Sequence, residues 1–396
     1  MKRTIRDIDL KNKKVIVRVD FNVPLDDKQQ ITDDTRIRET LPTIKYLCQQ
    51  KSKIILMSHL GRPKGKPDPK YSLKPVAKRL SELLNTEVKM APGIVDPETQ
   101  KMVDALKPGE IILLENLRFD TGEEKNDPEF AKKLASMAEI YVSDAFGTVH
   151  RAHASTEGIA KLLPSVCGFL LEKEIKYFSK VLENPDRPFV TILGGAKVSD
   201  KIVVIENLLN KVDTIIIGGA MAYTFLKSKG IKIGNSLVEE DKLDIAKDII
   251  RKADKLKIRY LLPIDHIIAD KVAADAQCKE THGVDIPDGW LGVDIGNMTV
   301  NRISSIIMTA KTIVWNGPMG VFEIDKFASG THQVAKLVAD VTSKGAVSII
   351  GGGDTVSAVK KFNLTDKMSH ISTGGGASIE LLEGKVLPGI AVLPEK

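Results

Sequence analysis

At 396 residues the chain is long for one hydrophobic core and suits two domains, and its 42% apolar and 28% charged residues are the balance of a globular protein. No stretch is apolar for long enough to cross a membrane and the first residues hold no apolar leader core, so a cytoplasmic protein without membrane association is expected. The net charge of +6 comes without a basic run or an aromatic platform, which argues against nucleic acid as a partner.

Along the chain one grammar recurs: a short aliphatic run, a polar or glycine-rich corner, then an amphipathic stretch. That is repeated βα, hence parallel sheet. In the first half the runs are Val15–Val19, Ile54–Met57, Ile111–Leu114 and Ile140–Val142. Their corners are Asp20-Phe21-Asn22, Ser58-His59-Leu60-Gly61-Arg62, Glu115-Asn116-Leu117-Arg118 and Ser143-Asp144-Ala145-Phe146-Gly147. A Pro- and Lys-rich stretch, Gly61–Tyr71, reads as an exposed loop or mobile edge. Leu171, Ile175, Phe178 and Leu182 then space one long connecting helix, Leu170–Leu182, ended by Asn184-Pro185. In the second half the runs are Phe189–Leu193, Thr214–Ile217, Tyr260–Ile264, Thr312–Trp315 and Val347–Ile350. Their corners are Gly194-Gly195-Ala196-Lys197, Gly218-Gly219-Ala220, Asp265-His266, Asn316-Gly317-Pro318 and Gly351-Gly352-Gly353-Asp354. Ligands of open α/β sheets sit outside the carboxyl ends of the strands, where these corners fall. Cys48, Cys167 and Cys278 lie far apart in no metal-like spacing and read as reduced core thiols.

The charge is unevenly spread. Residues 1–168 carry 29 Lys and Arg against 24 Asp and Glu, net +5, whereas residues 169–396 carry 29 against 28, net +1. Nine of the 13 arginines lie in the first part, so a small, strongly anionic ligand belongs there. Arg36, Arg62, Arg118 and Arg151 beside strand ends form a cluster needing counter-charge. His150, Arg151 and His153, like His59 and Arg62, fit hydrogen bonding to an anion or plain structural roles.

In the second half, the glycine turn before Asp354 and Thr355 leaves room for a phosphate against the free N–H groups at Thr355 and Val356, with Asp354 placed for Mg²⁺. The same residues also fit a helix start that Asp354 or Thr355 merely caps. Lys197 and Lys201, four apart at the opening of an expected helix, call for an anion unless both are solvated. Glu323 is either a ribose partner or a surface acid. Gly61–Pro67 has the wrong spacing for a P-loop, Asp20-Phe21-Asn22 precedes anything like a kinase catalytic loop, and neither a Gly-x-Gly-x-x-Gly turn after a strand nor a Gly-x-Ser-x-Gly elbow occurs.

Eight stretches in order resemble the phosphoglycerate kinase family: Arg18–Pro24, Ser58–Pro63, Glu115–Phe119, Asp144–His153, Gly194–Lys201, Trp315–Glu323, Gly351–Thr355 and Ser372–Ala377. Val149 and Asn297 depart from the usual Ala and Pro and touch no expected catalytic group. The resemblance implies an α/β fold of two Rossmann-like, three-layer αβα domains with mainly parallel sheets, joined by a long helix and hinge. It divides the chain into an N-terminal glycerate-binding domain 1–168, a connecting helix 169–183, a nucleotide-binding domain 184–380 and a segment 381–396 that returns to the first domain. It implies reversible phosphoryl transfer between 1,3-bisphosphoglycerate and ADP, giving 3-phosphoglycerate and ATP, by a glycolytic monomer using Mg²⁺.

By resemblance, Asp20, Phe21, Asn22, Arg36, His59, Leu60, Gly61, Arg62, Arg118 and Arg151 take the glycerate. Lys197, Lys201, Gly218, Gly219, Gly292, Asn316, Pro318, Glu323, Gly351, Gly352, Gly353, Asp354 and Thr355 take the nucleotide, with Asp354 on the metal. Arg36, Lys197 and the N–H groups of Gly352, Gly353, Gly375 and Gly376 stabilise the transferring group. Closure about the connecting helix and Thr373–Gly384 brings the half-sites together. A dehydrogenase on the same architecture lacks its dinucleotide fingerprint, and a binding relative without turnover would have no reason to keep Arg36, Lys197 and Asp354.

Overall fold

The computed structural model describes residues 1–396, which divide into two compact units: Met1–Lys176 with Val386–Lys396, and Tyr177–Lys385. The first is built on six strands, β1 (Lys14–Val19), β2 (Lys53–Met57), β3 (Val88–Met90), β4 (Ile111–Leu113), β5 (Ile140–Asp144) and β6 (Ser165–Cys167). They lie in the order β3-β4-β2-β1-β5-β6, every pairing parallel. Val15, Val17 and Val19 pack with Ile37, Ile44 and Leu47 of helix Thr35–Gln49 and with Val76 and Leu80 of helix Lys74–Leu84. Val15, Val17 and Val19 share one face of the sheet, while Ile16 and Arg18 are buried on the other, as expected of a parallel sheet covered on both sides. The last residues belong to this unit: the Gly389 N–H donates to Val149 O at 2.9 Å and the Lys396 N–H to Met1 O at 2.8 Å.

The second unit holds β7 (Phe189–Leu193), β8 (Thr214–Ile217), β9 (Arg259–Leu261), β10 (His266–Ala269), β11 (Cys278–Glu280), β12 (Leu291–Ile295), β13 (Thr312–Asn316), β14 (Val347–Gly351) and β15 (His370–Ile371). Its main sheet runs β15-β14-β13-β7-β8-β9, all parallel, beside a small antiparallel sheet β11-β10-β12. Register does the positioning. Arg18 lies level with Met57 and Ser143, and Asn316 with Gly351 and Leu193, so corners distant in sequence emerge side by side at one edge of each sheet.

Four expectations are corrected. Leu114 lies beyond β4. The run expected over Tyr260–Ile264 stops at Leu261. Asp265-His266 is no ligand corner: His266 opens buried β10, and the Asp265 carboxylate accepts from the Met298 and Thr299 N–H groups at 2.8 and 2.7 Å, capping helix Asn297–Ile307. Cys278 is an exposed residue of β11 and not a core thiol, whereas Cys167 is buried and Cys48 half-buried. The connecting helix runs Phe169–Glu183.

Candidate active site

In the first unit the carboxyl ends of β1 and β2 carry Asp20-Phe21-Asn22 and His59-Leu60-Gly61-Arg62. The first corner is fixed from within. The Phe21 ring is fully buried and its N–H donates to Ser58 Oγ at 2.8 Å, so only its backbone can face a ligand. Asn22 Oδ1 accepts from the Gly61 N–H at 2.9 Å, tying the two corners together. Leu60 is buried too, with its N–H and carbonyl both held by the Asn116 side chain at 3.2 and 2.7 Å. Gly61 has φ +60°, and a Cβ there would lie 2.4 Å from the Tyr71 ring, so glycine is required on two counts.

Around this frame stand the arginines. Arg36, in the first turn of helix Thr35–Gln49, pairs with the Asp20 carboxylate. Buried Arg118 donates from Nη1 to Gly61 O at 2.8 Å, and its Nε lies 3.1 Å from Glu124. Arg151 is exposed and donates from Nε to His150 Nε2 at 3.1 Å, while Arg62 is exposed and forms no ion pair. At their centre is His59, only 6% exposed. Burial, then the charges of Arg18, Arg118, Arg36 and Arg151, hold its imidazole well below the ordinary value of 6.5, so the ring is neutral.

Arg18, which sequence reasoning did not place among the ligand-binding residues, is 1% exposed near the carboxyl end of β1. Burying a guanidinium costs several kcal/mol unless it is paired. Here Nε donates to Ser155 Oγ at 2.8 Å, and Ser155 Oγ in turn donates to the fully buried Glu123 carboxylate at 2.6 Å. The signal was an arginine inside an otherwise aliphatic run; Glu123, in a surface-like acidic stretch, offered none.

In the second unit a cavity of about 250 Å³ brings together Gly219, Gly292, Pro318, Glu323 and Asp354 from separate stretches of chain. Close backbone approach explains its glycines. A Cβ on Gly219, at φ +64°, would lie 2.5 Å from Gly195 N, and one on Gly292 would meet the Tyr223 hydroxyl at 1.9 Å. Tyr223 is a further wall residue that sequence reasoning missed. Gly218 is buried behind this wall, its N–H donating to Leu193 O at 2.8 Å.

Beside the cavity, Gly352 has φ +85° and caps helix Gly353–Lys361. The N–H groups without an intrahelical carbonyl are those of Gly353, Asp354 and Thr355; Val356 is corrected from this set, because its N–H donates to Gly352 O at 3.1 Å. Thr355 is also differently employed: its buried hydroxyl accepts from the Gly317 N–H at 2.6 Å and so holds the β13 corner. Gly351 ends β14 level with Asn316. Asn316 is 2% exposed, its Oδ1 accepting from Lys201 Nζ, yet its Nδ2 has no acceptor. A buried amide donor left open costs about 1–3 kcal/mol, so it marks where an acceptor belongs. Burial holds Lys201 below its ordinary value, against the opposing carboxylates of Asp200, Asp354 and Glu383.

The two lysines are not helical neighbours as the spacing suggested. The helix starts at Ile202, Lys201 is its cap, and Lys197 stands exposed in the preceding turn. Gly375, at φ +49°, caps a second short helix opening at Gly376. Asp354 is exposed at the mouth, and nowhere in the chain do three or more His, Cys, Asp or Glu side chains gather as a metal centre. One carboxylate suits a magnesium ion carried in on nucleotide phosphates, which fill most of its coordination sphere.

A family model described as phosphoglycerate kinase matches residues 5–385. Phosphoglycerate kinase 3, cytosolic, of Arabidopsis thaliana is 60% identical over 393 residues, covering 99% of this chain and 98% of the relative. The phosphoglycerate kinase of Chloroflexus aurantiacus is 57% identical over 396 residues, covering 100% and 99%. Among solved structures, phosphoglycerate kinase from Coxiella burnetii matches with TM-score 0.90 and 44% identity over 99% of this chain and 98% of that one. The enzyme from Pyrococcus horikoshii OT3 matches with TM-score 0.84 and 34% identity over the same shares.

Proposed function

The chain belongs to the phosphoglycerate kinase family and is a phosphotransferase; from that premise we propose that it transfers a phosphoryl group between 1,3-bisphosphoglycerate and ADP, with Mg²⁺ and domain closure. The glycerate sits on the first unit, held by Asp20, Asn22, Arg36, His59, Arg62, Arg118 and Arg151 with the backbone of Phe21, Leu60 and Gly61. The nucleotide sits on the second. Gly218, Gly219, Gly292, Pro318 and Glu323 shape its base and ribose site, and Lys197, Lys201, Asn316 and Gly351–Thr355 take its phosphates. The domain limits are 1–168, 169–183, 184–380 and 381–396. The enzyme works as a cytoplasmic monomer without a nucleic-acid partner.

The focus of positive charge around a neutral, buried His59 carries this reading most directly, since only a polyanion repays so many guanidiniums. Chemically little is asked of the protein beyond alignment and charge neutralisation. In the direction of ATP use, a carboxylate oxygen of 3-phosphoglycerate attacks the γ-phosphorus and the bond to the β,γ-bridging oxygen breaks. The carboxylate is ionised at neutral pH, so no general base is needed. Arg36 offsets the repulsion between the carboxylate and the phosphoryl oxygens. Exposed Lys197 and the N–H groups of Gly352, Gly353, Gly375 and Gly376 stabilise the equatorial oxygens. Asp354, together with the nucleotide's own phosphate oxygens, would hold Mg²⁺, which would supply neutralisation of phosphate charge. Calorimetry separates the two half-sites: Arg62→Ala should weaken 3-phosphoglycerate binding and spare Mg-ADP, and Asp354→Ala should do the reverse. Both ligands lost together in either variant would contradict separate sites.

A further inference from the structure

Behind the residues that face the glycerate, the first unit holds a buried chain of polar groups that phosphoryl transfer does not itself call on. Glu123 is 0% exposed. Its Oε1 accepts from Ser155 Oγ at 2.6 Å and its Oε2 from the Ser155 N–H at 3.0 Å. Having committed its one proton to Glu123, Ser155 Oγ is left as an acceptor, and Arg18 Nε donates to it at 2.8 Å. The far end of the same guanidinium, Nη2, lies 3.3 Å from His59 Nδ1. A guanidinium has five N–H groups and no lone pair, so this contact has one possible direction. Nδ1 accepts, and the proton of the neutral ring lies on Nε2, which no protein acceptor bonds.

We infer that Glu123, Ser155 and Arg18 form a positioning chain that fixes His59 as its neutral Nε2–H tautomer, leaving one N–H to donate to an oxygen of the glycerate ligand. Glu123 is the terminus that gives the chain its direction. Burial would raise its carboxyl, but His153, Arg18 and Ser155 hold it below the ordinary 4.5, so it is an anion that can only accept. His153 Nδ1 lies 3.6 Å away, and the Tyr141 hydroxyl donates to Ser155 O at 3.0 Å, fixing the serine from its other side. The charges that act most on His59 are those of Arg18 on β1, Arg118 after β4, Arg36 on helix Thr35–Gln49 and Arg151 after β5, all cationic, with the Asp20 carboxylate taken up by Arg36. An imidazolium is disfavoured there, and a ring with its proton on Nδ1 would set one donor against another.

The assignment of the ligand rests on the function proposed above, whereas the tautomer does not. It is read on the ligand-free wild-type protein with ¹⁵N-labelled histidine, the His59 signals being identified by their loss in His59→Gln. The expected result is an unprotonated Nδ1 and a protonated Nε2 throughout pH 6–8. A cationic ring or a proton on Nδ1 at pH 7 would overturn the inference, whatever the variants do. Glu123→Gln and Ser155→Ala should each shift the His59 signals and raise KM for 3-phosphoglycerate about tenfold, the worth of one lost hydrogen bond to a charged group. KM for ATP should stay within about twofold, a split that general loosening would not give. A folded variant with wild-type His59 signals and KM would likewise overturn it. If 3-phosphoglycerate leaves the His59 signals of the wild type unmoved, the ligand assignment fails while the tautomer stands.

Discussion

Lys197 and Lys201 divide at the scale of single residues into one exposed cation and one held by a hydrogen bond. Lys201 is part-buried and bonded to Asn316, so its place is set before any ligand arrives. Lys197 is exposed in a turn, and the proposed transfer assigns it to the charge that develops on the phosphoryl group. Lys197→Ala should therefore lower kcat by about 10²–10³ and leave nucleotide affinity within a few-fold, by analogy with removing one oxyanion donor. Steady-state kinetics with ATP titration checks this; lost ATP binding with kcat preserved would reassign the lysine. Arg62 differs from Arg36 in the same way, being unpaired where Arg36 is held by Asp20. Arg62→Ala should mainly raise KM for 3-phosphoglycerate, and an unchanged KM would remove it from the site. Sequence made these side chains legible because charge beside a strand end needs a reason. It could not reveal that Thr355 is spent on Gly317 or that Glu123 lies at the bottom of the site, because both depend on contacts between distant segments.

Among the elements, the corner from β14 into helix Gly353–Lys361 depends on backbone shape more than on any side chain. Gly352 has φ +85°, and a Cβ there would lie 3.1 Å from Asn316 Oδ1. Gly352→Ala should cost about 1–3 kcal/mol in strain and weaken Mg-ADP binding; calorimetry showing unchanged affinity would mean that the turn is not the phosphate cradle. Asp144 at the end of β5 gives a second prediction. Its Oδ1 accepts from the Leu170 and Leu171 N–H groups at 2.9 and 3.1 Å, capping the connecting helix, and burial pushes its carboxyl up from 3.8 to about 7. A raised carboxyl binds its proton more tightly in the folded state, so its contribution to stability is full below about pH 4 and is lost as pH rises through 7. Asparagine keeps the accepting oxygen and cannot ionise. The Tm of Asp144→Asn relative to wild type should therefore rise between pH 5 and pH 8; a constant difference would show that Asp144 does not titrate there. The long helix and the major strands were readable from periodicity and β-branched runs. Short strands such as β3 and β15 were not, because three or two residues carry no period.

For the whole molecule, each unit carries its own parallel sheet with candidate ligand corners at the carboxyl ends of the strands, and the proposed function divides the chemistry between them. Paired corners follow from β-α-β repetition and could be read in advance. The antiparallel β10–β12 insertion could not: its two apolar strands are short and are paired through β11, three exposed residues that read as loop, outside the βα alternation. Transfer between ligands held on separate units requires them to be brought together, so 3-phosphoglycerate with a non-transferring Mg-nucleotide should reduce the radius of gyration in solution scattering more than either ligand alone. The most direct measurement supplies the purified protein with Mg-ATP, 3-phosphoglycerate and hydroxylamine and follows acyl-hydroxamate formation with ADP release, using Asp354→Ala as the control. Hydroxamate that requires ATP, Mg²⁺ and 3-phosphoglycerate together, and fails in the control, is the expected result. Folded wild-type protein that binds both ligands yet yields none would contradict phosphoryl transfer at this site.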